Sequence, residues 1–155
     1  MSNSNTIARE RVRIYVTGSC DGLDRLREGL ASHPELDFVG WSEHVAEATA
    51  ALAGGHLQVV VHATRETSLP GAELAAIRKH TRSPIVMLAS GESSALLDDA
   101  LETEGVADVI LLPQLTENVV FALRKAAHAG RRLHAEGAQA RHGRIITVFS
   151  PKGGT

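Results

Sequence analysis

The sequence predicts a doubly wound α/β domain: five parallel strands in the order 2-1-3-4-5, with helices on both faces. Two features predict it. From Val12 onward, short β-branched apolar runs alternate with segments of helical apolar spacing, each strand-and-helix unit taking about 20–25 residues. The inner runs are apolar on both faces, as parallel strands covered on two sides must be. Right-handed crossovers then leave few topologies, of which the flavodoxin-like order is the common one for five strands.

The elements follow in order. "VRIYV" (Val12–Val16) is a β-rich run closed by Thr17-Gly18. Leu23–His33 carries Leu23, Leu26 and Leu30 at helical spacing, and His33-Pro34 stops it. Asp21, just ahead, is expected to cap that helix. Asp37–Trp41 is a short second strand, and Val45–Gly55 an Ala-rich helix whose two glycines suit a C-cap. Leu57–Ala63 is a buried third strand and Gly71–His80 a helix. Pro84–Ser90 is the fourth strand, Ser94–Gly105 a helix, and Ala107–Pro113 the fifth strand. Thr116–Gly130 is an amphipathic helix with Thr116 as the expected N-cap, Val119, Val120 and Leu123 as its buried stripe, and Phe121 on another face. Gly130–Gly143 is polar and basic, either a linker or a continued exposed helix. Residues 1–10 form a disordered lead-in, 11–129 the domain, 130–143 the linker, and 144–155 the beginning of another unit.

Bulk properties exclude several classes. The chain has 155 residues, 43% of them apolar and 22% charged, enough for one domain with a proper core. A net charge of −2 gives no electrostatic argument for nucleic acid as a partner. The single cysteine, Cys20, precludes an internal disulfide, fits a reducing cytoplasm, and reads as an ordinary loop thiol with no base beside it. No apolar run approaches the roughly 20 residues that span a bilayer. The eight histidines show no metal-ligand spacing, so no metal is expected.

Over residues 11–129 the chain resembles a response-regulator receiver domain (CheY-like). "FVGWSEHVAEATAAL", "LQVVVHATRETSLPGAELAAIRK", "SPIVMLAS" and "GVADVILLP" carry the resemblance by their order and spacing. A working receiver moves a phosphoryl group onto an aspartate. It needs a carboxylate nucleophile, further carboxylates for Mg²⁺, and a hydroxyl and a lysine for the phosphoryl oxygens. The resemblance puts the acid pair at Thr17 and Gly18, the phosphoacceptor at His62, the hydroxyl at Ala89 and the lysine at Leu112. The aromatic that switches with phosphorylation falls on Val109. Every catalytic position departs from the family pattern, which implies a pseudo-receiver with no catalytic residue. Asp21 and Ser90 stand near enough in sequence to be asked about as substitutes, and His62 as a phosphohistidine or metal ligand; a hydrogen-bonded imidazole is the plainer reading.

"RIITVFSPKGGT" (Arg144–Thr155) resembles the first strand and opening of the deviant Walker A loop of ParA/MinD ATPases. Lys152, Gly153, Gly154 and Thr155 match its first four places, and Lys152 falls on the lysine that contacts nucleotide across the dimer. An ordinary polar turn is the alternative. The order of receiver-like domain, basic linker and ATPase resembles the CpaE/TadZ family, which localises Flp/Tad pilus machinery at a cell pole.

The expected function is therefore an interaction or localisation module for an attached ATPase, cytoplasmic and not itself an enzyme. No cofactor is expected in this part, with ATP and Mg²⁺ belonging to the ATPase. Expected partners are that ATPase, the pilus machinery and a second copy through the fourth helix, fifth strand and fifth helix. An atypical phosphorelay receiver is the alternative. A small-molecule module would need a ligand at the carboxyl ends of the strands, and nothing in Thr17–Gly22 or Thr64–Gly71 names one. Arg131, Arg132, Arg141 and Arg144 on the linker read as solvated, with DNA or anionic lipid as the alternative.

Overall fold

A computed structural model describes residues 11–90 and 94–140, with side chains except at 94–95 and 132–140. In chain order the elements are β1 (Val12–Gly18), α1 (Leu23–Ala31), β2 (Leu36–Ser42), a 3₁₀ turn (Val45–Ala48) running into α2 (Thr49–Gly54), β3 (Val59–Thr64), α3 (Gly71–His80), β4 (Ile85–Ser90), α4 (Ser94–Leu101), β5 (Val106–Leu112) and α5 (Thr116–Ala140). All neighbouring strands pair in parallel, in the order β2-β1-β3-β4-β5. This is the 2-1-3-4-5 sheet expected from the alternating pattern.

The sheet separates two cores. On one face Leu23, Leu26 and Leu30 of α1 and Val119, Val120 and Leu123 of α5 pack on Ile14, Val16, Val61 and Leu88. On the other, Leu52, Leu74, Ile77 and Leu96 from α2, α3 and α4 cover Val60, Met87 and Ala89. Each fully buried aliphatic side chain contributes about 1.5–3 kcal/mol, so the central strands hold the fold. β3 is buried at every position, its polar His62 and Thr64 included, as a central parallel strand covered on both faces is. Phe121 falls outside the stripe and is 65% exposed. Ion pairs tie the rim: Arg13 to Asp37 across β1 and β2 at 2.7 Å, and Arg124 of α5 to Glu35 at 2.7 Å.

Three local expectations are corrected. Asp21 does not cap α1: the N-cap is Gly22, at φ 87, with no side-chain cap bond. The Cys20 carbonyl accepts the Leu23 amide at 3.1 Å and the Gly22 carbonyl accepts that of Leu26 at 3.3 Å. A tight backbone turn thus satisfies these donors one residue beyond Asp21, whose side chain stays exposed. Thr116 is the first residue of α5 rather than its cap, because the Leu115 carbonyl accepts the amides of Asn118 and Val119. Its hydroxyl instead faces Gly29 of α1. The glycine C-cap expected at the end of the second helix is present: Gly54 ends α2 and Gly55 caps it, its amide bonded to the Ala51 carbonyl at 2.8 Å, and the chain reverses at His56, φ 53. The first four residues of the expected second helix wind as 3₁₀ rather than α. α5 continues past Gly130 to Ala140. Arg141, Arg144 and Lys152–Thr155 lie outside the described residues, as does the side chain of Arg132.

Candidate functional site

The ends of β1 and β3 meet in register, Thr17 beside His62 and Gly18 beside Ala63. Both polar side chains are turned inward by strand alternation, with Thr17 fully buried and His62 only 3% exposed. Burial demands partners, and the two supply each other: Thr17 Oγ1 lies 2.8 Å from His62 Nδ1. The Thr17 hydroxyl also lies 3.4 Å from the Val61 carbonyl. Burial pushes the His62 imidazole down to about 4, the negative charge of Glu73 opposing the shift in part. At neutral pH the ring is uncharged.

Gly18 closes the strand at φ 88, a conformation that L side chains rarely adopt. A Cβ there would fall on the Ala63 carbonyl oxygen. The Gly18 carbonyl accepts the Trp41 indole N–H at 3.0 Å, and the Arg27 guanidinium stacks 4.1 Å above that indole. β1, β2 and α1 are therefore clamped together at this end of the sheet.

The other site positions are apolar in fact as well as in type. Ala89 pairs with Thr64 on one side and Leu111 on the other, and is fully buried. Leu112 ends β5 opposite Ser90, and Val109 faces the second core. Ser90 is the last residue of β4. Cys20 is buried, its thiol pushed up to about 11 by burial, with Asp21 adding to the rise and Arg65 opposing it. Such a thiol is not nucleophilic near neutral pH.

Two clefts open at this carboxyl edge. One, of about 410 Å³, lies between the 3₁₀ turn and α3, with His62 among its lining residues. The other, of about 610 Å³, lies between the loops that follow β1 and β5 and is lined by Cys20, Asp21, Arg25 and Leu112. Arg65, from the loop after β3, lines both. Among the described residues no group of three His, Cys, Asp or Glu side chains is placed to hold a metal ion.

The structure thus brings Thr17, Gly18 and His62 into contact, sets Ala89 beside them across Thr64, and places Leu112 in the second cleft. The five positions present one hydroxyl, one neutral imidazole and no carboxylate. Sequence reasoning missed Glu73, Arg65 and Trp41 as neighbours of the site. A first-turn acid in Gly71–His80 was the only advance signal for Glu73.

The fold is that of receiver domains. The chain superposes on the signal receiver domain of the putative response regulator NarL from Mycobacterium tuberculosis with a TM-score of 0.63 and 21% identity, covering 77% of this chain and 98% of that one. A CheY-like receiver domain protein from Methanospirillum hungatei aligns at 0.61 and 14% identity, over 79% and 98%. A structure described as adenylate cyclase from Rhodopirellula baltica aligns at 0.65 and 15% identity, over 84% and 98%. No protein-family model matches the chain, and no curated protein sequence matches it.

Proposed function

We propose that this chain is a receiver-like domain that takes no phosphoryl group and works by contact, positioning an attached MinD/ParA-type ATPase. The observation that carries this reading is the Thr17–His62 hydrogen bond, 2.8 Å long and buried, where a receiver needs ionised carboxylates and Mg²⁺. A neutral hydroxyl–imidazole pair neither attracts the cation nor offers a carboxylate to the phosphorus. Ala89 and Leu112 likewise leave the phosphoryl oxygens without a hydroxyl or an ammonium. No catalytic step of its own is assigned to this domain.

The attached unit rests on Arg144–Thr155, whose resemblance to the ATPase loop supports a CpaE/TadZ-type arrangement in Flp/Tad pilus assembly. ATP and Mg²⁺ belong to that unit, with Lys152, Gly153, Gly154 and Thr155 opening its phosphate loop. The contact face we favour is α4, β5 and α5, where a second copy or the pilus machinery docks. Phe121 is exposed there beside Ile110 and Leu111, which the edge strand leaves half-buried. The domain would act in the cytoplasm and at the cell pole; none of the described helices is long and apolar enough to cross a membrane.

The test is exposure of the chain to acetyl phosphate with Mg²⁺, and separately to beryllofluoride, read by intact mass and amide NMR. The expected result is no added phosphoryl mass and no shifts around Thr17, His62 and Ala89. A stable phosphoryl adduct would overturn the proposal and restore an atypical phosphorelay receiver.

A further inference from the structure

We draw no further inference here: the strongest candidate, the groove along the β5 edge beside the exposed Phe121, belongs to the contact face already described, and nothing in the structure shows what covers it.

Discussion

A methyl group at Gly18 should be among the most damaging single changes available to this domain. The residue sits at φ 88, and a non-glycine residue held in the left-handed region costs about 1–2 kcal/mol. The added carbon would also clash with the Ala63 carbonyl oxygen, which belongs to the paired strand and has no rotamer to escape into. β1 and β3 must therefore part at their ends, pulling Thr17 from His62 and leaving a buried polar group unsatisfied at about 1–3 kcal/mol. Together Gly18→Ala should lose about 2–5 kcal/mol, a large share of the roughly 5–15 kcal/mol that holds a domain of this size. Urea unfolding followed by far-ultraviolet circular dichroism measures it, with the midpoint falling and the slope unchanged. A loss below about 1 kcal/mol would refute the reasoning. The backbone would then admit a side chain at this position, and an aspartate restored there would meet no steric bar.

Further outcomes follow from the same end of the sheet. The pKa of His62 lies near 4 in the folded chain against about 6.5 unfolded, so below 6.5 the unfolded chain binds the extra proton. Its contribution is full above pH 6.5 and is lost as pH falls toward 4; over that window wild type should lose about 3 kcal/mol more than His62→Gln, and parallel pH profiles would contradict this. Thr17→Val should cost about 1–3 kcal/mol by stranding Nδ1, whereas Thr17→Val with His62→Leu should cost less than the two singles summed, in a double-mutant cycle by urea unfolding. Cys20 should resist an aromatic disulfide reagent at pH 7 in the native state and react only as fast as the domain opens; prompt modification would show that the thiol is accessible. Phe121→Asp should leave stability within about 0.5 kcal/mol while abolishing any self-association seen by light scattering at high concentration.

Strand order was legible because it depends on many residues at once: five apolar runs and five periodic segments outvote any single misread boundary. The burial of Val119, Val120 and Leu123, and the exposure of Phe121, came from helical spacing for the same reason. Caps were less legible because each turns on one residue and on the loop's exact path. Asp21 is an ordinary capping residue by type, but the Cys20–Leu23 bond tightens the turn past it. At the site, residue type alone displayed the missing carboxylates. The pairing of Thr17 with His62 was hidden, since 45 residues separate them and only the β1/β3 register brings them together. The left-handed backbone at Gly18 left no trace except the glycine itself, and the approach of Glu73 depended on how α3 packs.

The clamp of Trp41 on Gly18 has an optical consequence. The chain contains one tryptophan, so all of its indole emission originates beside the end of β1. With its N–H held by a carbonyl and a guanidinium over its face, that emission reads the loop after β1 and not the sheet as a whole. Where this corner loosens before the strands separate, the fluorescence transition will precede the dichroism transition, and the interval between them measures how independently the corner moves.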